Sequence, residues 1–308
     1  MNKISKDCTV AIVGFGVVGQ AYYQMFPDAV VYDEPKDICT ARSFPSGIAS
    51  TPIEGDRLAL KANSLELWIQ DARTAVNDCD VAIVAVFTPH NEDGSLDTSI
   101  VEEVVGWIDC PLIIIKSALH PGTTDMLVKK TGKRIAVSVE YIGEGTYPVH
   151  FWKFPHQTDP RMHMMLVVGG EDEVAEQAIE VLWSKLSPDV KIHKVTALEA
   201  EIVKLVENSY GALKVTFINT LMSLAKASDT SFIRIHQAWN SDPRTDSMHI
   251  RAVSHNRGWK SKCWSKDLPA LVAYAKKVGA TDMERLFQLV DDLNEEHLAI
   301  TEADNAKD

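Results

Sequence analysis

The chain has 308 residues, enough for two domains with separate cores, and at 45% hydrophobic and 24% charged it has an ordinary globular make-up. Its net charge of −12 excludes the broad basic footprint of a nucleic-acid-binding surface. No apolar run approaches the roughly 20 residues of a membrane span, and the apolar N-terminal stretch lacks a cleavage-site pattern, so neither a membrane segment nor a signal peptide is expected.

In chain order, VAIVGF (10–15), AVVYD (29–33), VAIVAVF (81–87), LIIIKSA (112–118), RIAVSVE (134–140) and MLVVGG (165–170) read as strands. Several are apolar on both faces, as strands of a parallel sheet covered by helices are. The intervening helical stretches give a βαβ rhythm, which predicts an α/β fold with a doubly wound Rossmann-type sheet. The character changes near residue 195. Over 196–228 there is no proline and a single glycine, and Ile202, Leu205, Val206, Leu213, Phe217 and Leu221 recur at helical spacing, predicting one long helix. Thr196 and Glu199 have the spacing of a capping box at its start. Further helices are predicted over 266–279 and 281–300, and the tail 301–308 is expected to fray. The predicted organisation is a sheet domain over 1–195 followed by an all-helical domain over 196–300.

GFGVVG (14–19) follows the first strand and opens a helix. In that context Gly14, Gly16, Val17, Val18 and Gly19 let backbone amides approach a pyrophosphate at a helix N-terminus. Asp33 ends the second strand 19 residues after Gly14, where a carboxylate takes the ribose 2′-hydroxyl and repels a 2′-phosphate. NAD is therefore expected rather than NADP.

The five cysteines form no C-x-x-C pair and no zinc-ligand spacing, so no metal is expected and a reducing cytoplasm with free thiols is. One of them, Cys263, lies in NRGWKSKCWSKD (256–267) among Lys260, Lys262 and Lys266. Such electropositive surroundings favour a thiolate, the reactive form of cysteine. Lys204 and Asn208, four apart on the long helix, share a face and can point at one oxyanion.

Five blocks in order extend this reading. VFTPHNEDGSLD (86–97), KSALHPGTT (116–124), EYIGEG (140–145), EIVKLVENSYGALKVTFIN (201–219) and GWKSKCWSKD (258–267) resemble the corresponding blocks of the UDP-glucose/GDP-mannose dehydrogenase family. The resemblance covers nearly the whole chain and implies a nucleotide-sugar substrate, most readily UDP-glucose oxidised to UDP-glucuronate. In that family the cysteine matching Cys263 is the nucleophile of a four-electron oxidation, passing through a thiohemiacetal and a thioester. The resemblance assigns Lys204 and Asn208 to the oxyanion, Asp267 to the hydrolytic water or a catalytic amine, Glu140 to a general base and Glu144 to substrate positioning. Thr88, Pro89, Ser117 and Lys266 fall on its cofactor side. Arg244, in DPR, matches an arginine that reaches the neighbouring subunit's site. A homodimer through the helical domain is implied, and the apolar positions of the long helix beyond one stripe point the same way.

The sequence departs from the family pattern at four places. The family continues into a third, nucleotide-binding domain, whereas this sequence ends after the helical one, leaving a partner chain to supply it or the local loop to replace it. The glycine pair before the cysteine is Lys260–Ser261. The threonine that helps hold the hydrolytic water is Ala118, with the following proline shifted to 121, which is expected to slow thioester hydrolysis. The proline after the cysteine is Ser265. Over 244–266, Arg244, Arg251, Arg257, Lys260, Lys262 and Lys266 face only Asp246 among acids, and Lys260 and Lys262 are expected to bind the substrate diphosphate. Two other readings fit parts of the pattern: a β-hydroxyacid dehydrogenase, which needs no cysteine, and a non-catalytic NAD-binding subunit.

Overall fold

The computed structural model describes residues 8–34, 38–39, 72–142, 159–245, 248–250 and 256–305. Among these residues eight strands form one sheet in the order β3-β2-β1-β4-β5-β6-β7-β8. They are β1 (Val10–Val13), β2 (Val30–Asp33), β3 (Ile38–Cys39), β4 (Val81–Val84), β5 (Leu112–Ile115), β6 (Ile135–Ser138), β7 (Met165–Gly169) and β8 (Lys191–Val195). Pairing is parallel except between β2 and β3 and between β6 and β7. Every residue of β1, β4, β5 and β6 is buried, which is why these strands read as unbroken apolar runs. The expected doubly wound sheet is present, followed by helices. The chain leaves β1 for β2 on one side and later returns as β4 on the other, so the switch point of the sheet lies at the C-terminal end of β1.

The sheet is flanked by α1 (Val17–Met25), α2 (Ser99–Trp107), α3 (Thr123–Thr131) and α4 (Asp172–Trp183). The helical part holds α5 (Ala197–Ala227), α6 (Phe232–Asn240), α7 (Trp264–Val278) and α8 (Thr281–Asn305). The capping box at the start of α5 is made: Thr196 N–H donates to Glu199 Oε2 at 2.7 Å and Glu199 N–H to Thr196 Oγ1 at 3.2 Å. Among the described residues no helix is long and apolar enough to cross a membrane.

Two compact units emerge, one of Met1–Thr88 with Asp97–Glu201 and one of Pro89–Leu96 with Ile202–Asp308. The first turn of α5 goes with the sheet for two physical reasons. A Cβ on Gly169 would meet the Thr196 carbonyl and Ala200 Cβ, so the end of β7 lies directly on the helix start. Glu201, buried at 2% exposure, accepts hydrogen bonds from Gly122 N (2.5 Å), Thr124 N (2.8 Å) and Thr124 Oγ1 (2.7 Å), capping α3 from another helix. The 89–96 turn packs with the helices, where Gly94, at φ +84°, lies against Pro269.

Several expectations give way. The edge strand β8, KIHKV, and the two-residue β3 were not anticipated, because an edge strand bearing lysines lacks the apolar run that marks a central one. Helix α6 was also missed: none of its residues is buried, so no core stripe announces it. The tail does not fray from residue 301, since α8 runs to Asn305. Thr301 anchors that last stretch, its hydroxyl accepting from Arg257 N at 2.7 Å and donating to Arg257 O at 3.1 Å.

Candidate active site

In the sheet unit, Gly14 adopts φ +93° and donates its N–H to Tyr32 O at 2.8 Å. A Cβ there would stand 2.5 Å from the Ala85 carbonyl oxygen, so only glycine lets the turn lie against β4. Gly16 is the N-cap of α1, and nothing lies within 4 Å of where its Cβ would be. The helix N-terminus is thereby left open to a phosphate. Val17 is well exposed and Val18 half-buried, while a Cβ on Gly19 would strike the Gly14 carbonyl. The Asp33 carboxylate accepts the Phe15 N–H at 2.6 Å, which holds it beside the same turn. The glycine turn, the open helix end and the adjoining acid fit NAD. Ser117 joins the ends of β4 and β5 by donating to Val86 O at 2.7 Å, and Thr88 is buried.

At the ends of β5 and β6 sits a buried charge cluster. Lys116 Nζ donates to Ser138 Oγ and Val139 O, both at 3.0 Å, and lies 3.3 Å from Glu140 Oε2, with side-chain exposures of 1% and 7%. It also stands over the Tyr22 ring, 4.9 Å from the centroid. Burial, then the Glu140 carboxylate, push the Tyr22 phenol well above its ordinary range. Glu140 Oε1 accepts the Tyr141 and Ile142 N–H groups at 2.8 and 2.9 Å. Glu140, expected as a general base, is thus a fixed carboxylate two residues beyond β6, set by two backbone N–H groups on Oε1 and by the Lys116 ammonium beside Oε2. Glu144 lies outside the described residues, as do Asp246 and Arg251.

The helical unit carries Lys204, Asn208, Cys263 and Asp267, of which Asn208 and Asp267 are in direct contact. Cys263 is the half-buried N-cap of α7, the end of a helix at which an anion is favoured. Ser261 Oγ accepts both the Cys263 and Trp264 N–H groups at 3.3 Å, fixing the turn. One turn on, Asp267 is 1% exposed and takes Asn208 Nδ2 at 2.5 Å and Lys266 Nζ at 2.6 Å. Lys204 precedes Asn208 by one turn and stands 4.0 Å from Glu207. The segment before the cysteine is held to α8 by Asn294, whose side chain bonds both the N–H and the carbonyl of Trp259 at 2.8 and 3.2 Å.

The lysines around Cys263 are not the bare positive patch expected. Lys266, assigned to the cofactor side, has its ammonium on Asp267, and Lys260 pairs with Glu302 at 3.2 Å on the surface. A cleft of about 730 Å³ borders Lys260 and Lys262, but Asp291, Glu295 and Glu302 line it too. Burial, then Glu295 and Asp292, push the Asp291 carboxyl up. Three carboxylates thus stand beside the two ammonium groups in this cleft. Arg244 is held by Asp242 through paired contacts of 2.5–3.1 Å, and its side chain is 89% exposed.

The sequence reading passed over Lys116, Glu201, Gly211 and Trp264. Lys116 carried a usable signal, since a lysine closing the all-apolar run LIII must find a buried partner. Glu201 carried none, because its partners Gly122 and Thr124 are 77 to 79 residues away.

The sequence matches the UDP-glucose/GDP-mannose dehydrogenase family in its NAD binding domain over residues 56–187 and in its central domain over residues 198–296. A putative UDP-glucose 6-dehydrogenase of Bacillus subtilis is 25% identical over 303 residues, spanning 92% of this chain and 67% of the relative. The fold resembles that of a UDP-D-ManNAc dehydrogenase from Pyrococcus horikoshii (TM-score 0.67, 22% identity, 94% of this chain and 69% of that one). It also resembles a 3-hydroxyisobutyrate dehydrogenase from Mycobacterium tuberculosis (TM-score 0.57, 16% identity, 94% of both chains). With both of its domains matched in order behind a glycine turn fitted to NAD, the chain belongs to the UDP-glucose/GDP-mannose dehydrogenase family, the NAD-dependent dehydrogenases of nucleotide sugars.

Proposed function

We propose that the chain oxidises the primary alcohol of a nucleotide sugar to the carboxylate through a covalent intermediate on Cys263, with UDP-glucose the first substrate to test. The observation that carries this reading is the 2.5 Å bond from Asn208 to Asp267. It ties the helix bearing Lys204 to the helix that Cys263 caps. A dehydrogenase that stops at an aldehyde has no use for a thiol there; one that proceeds to the acid does.

NAD, held on the glycine turn and Asp33, supplies the hydride acceptor for both oxidations. The part played by the chain lies between and after them. The Cys263 thiolate adds to the aldehyde carbon, and Lys204 and Asn208 stabilise the resulting oxyanion. After the second oxidation the product is a thioester. Water, oriented by Asp267, cleaves its C–S bond, leaving the carboxylate and returning the thiol. One alcohol, one water and two NAD yield one carboxylate, two NADH and three protons.

Cys8, Cys79, Cys110 and Cys263 form no disulfide, which supports a reducing, cytoplasmic setting. Tyr210, Phe217 and Leu224 recur every seven residues along α5, 52%, 52% and 60% exposed, and Ile233 and Trp239 of α6 are exposed as well. A homodimer would cover this stripe.

The test is the NADH yield per UDP-glucose with the wild-type chain and with Cys263→Ser. Two NADH per sugar, lost in the variant, and an adduct on Cys263 in samples quenched during turnover support the reading. The fold shared end to end with a 3-hydroxyisobutyrate dehydrogenase favours one alternative, a single-step alcohol oxidation. One NADH per substrate with Cys263→Ala fully active would decide for it.

A further inference from the structure

Gly211 sits in the middle of α5, a helix of 31 residues. A glycine there costs about 1 kcal/mol relative to alanine, and it is not among the positive-φ glycines, so no turn requires it. Space does. A Cβ at Gly211 would stand 2.8 Å from Trp264 Cζ2 and 3.3 Å from Cε2 and Cη2, so the indole rests on the bare backbone of α5. Its flanks are set by Trp259, edge-on with ring centroids 6.0 Å apart, and by His249 at 5.1 Å.

Trp264 directly follows Cys263, and Gly211 lies three residues after Asn208. On α7 the contacting residues are 264 and 267; on α5 they are 211 and 208, met in the opposite sense. The start of α7 is therefore clamped to α5 at two points, Trp264 on Gly211 and Asp267 on Asn208. One hydrogen bond alone is a pivot. The second contact removes the rotation that would swing the N-cap away from Lys204 and Asn208.

We propose that Trp264, seated on Gly211, is a positioning residue that holds Cys263 in register with Lys204 and Asn208; this rests on the reading of Cys263 as the nucleophile. A misplacement of about 1 Å at a reacting group costs on the order of a hundredfold in rate. Gly211→Ala puts a methyl where the indole lies and is expected to lower kcat by about that factor, with KM for NAD within about twofold. Alkylation of Cys263 by iodoacetamide, followed by peptide mass spectrometry, should change with it. Trp264→Phe, a smaller ring, is expected to lose only about threefold alone and to restore most of the activity of Gly211→Ala in the double variant. Should Gly211→Ala fail to fold, Trp264→Ala empties the seat without touching α5 and is expected to show the same split between kcat and KM. Wild-type kcat in Gly211→Ala, or a loss that Trp264→Phe does not rescue, overturns the proposal, as does wild-type kcat in Trp264→Ala. Cys263→Ser, run alongside, separates the two failures: full activity there removes the nucleophile reading itself, whereas its inactivity beside an active Gly211→Ala removes only the clamp.

Discussion

Among the described residues, the sheet unit holds a buried lysine–carboxylate pair and the helical unit one whose carboxylate is buried, and the two are built from different materials. In the sheet unit, Lys116 and Glu140 meet at the ends of adjacent strands, and Ser138 and Val139 accept from the lysine while Tyr141 and Ile142 donate to the carboxylate. Strand register brings the lysine and the carboxylate together once β5 pairs with β6. In the helical unit, Lys266 and Asp267 are neighbours in sequence, but the bond that gives the pair its place comes from Asn208, 59 residues away. The first pair belongs to the sheet; the second exists only where α7 lies on α5. A group needed rigidly can be built into the sheet, whereas one that must be brought to a nucleophile depends on helix packing.

The comparison can be broken first at Lys116. Replacing it with methionine leaves a carboxylate buried without its counter-ion, which costs about 4 kcal/mol. Thermal unfolding should fall by roughly 10 °C. A melting temperature unchanged within about 2 °C would mean that Glu140 does not need the ammonium. Asp267→Asn is expected to cost less stability, about 2 kcal/mol, because an amide can still accept from Asn208 and Lys266 is close enough to the surface to relax. Its effect should fall instead on turnover, read as a drop in kcat in NADH assays; wild-type kcat would refute a role for Asp267 beyond packing. The smallest effect on the folded chain is expected from Phe217→Glu, within about 0.5 kcal/mol since the side chain is exposed. By sedimentation velocity, however, it should turn a dimer into a monomer. A monomeric wild-type chain would remove the dimer from the reading.

Local patterns were the legible part. Central strands show as apolar runs because both faces are covered, the glycine turn because Gly14 and Gly19 leave no room for a side chain, and the start of α5 because Thr196 and Glu199 cap within one turn. Each depends on residues a few positions apart. The candidate site is half legible: Cys263, Lys204, Asn208 and Asp267 stand out by type and spacing, but the lysines beside the cysteine read alike as one positive patch. Two of them are paired, one with the adjacent Asp267 and one with Glu302 on α8, 42 residues away.

The sequence by itself determined the sheet, the capped long helix, the NAD turn and the residue types available for chemistry, because spacing and side-chain character act over one or two turns. Only the tertiary structure decided which charges are free, that Glu140 is already engaged, and that a tryptophan beside the cysteine rests on a glycine three residues from Asn208. Those outcomes depend on which surfaces meet across tens of residues, and burial then forces every charge at the contact to find a partner or move away.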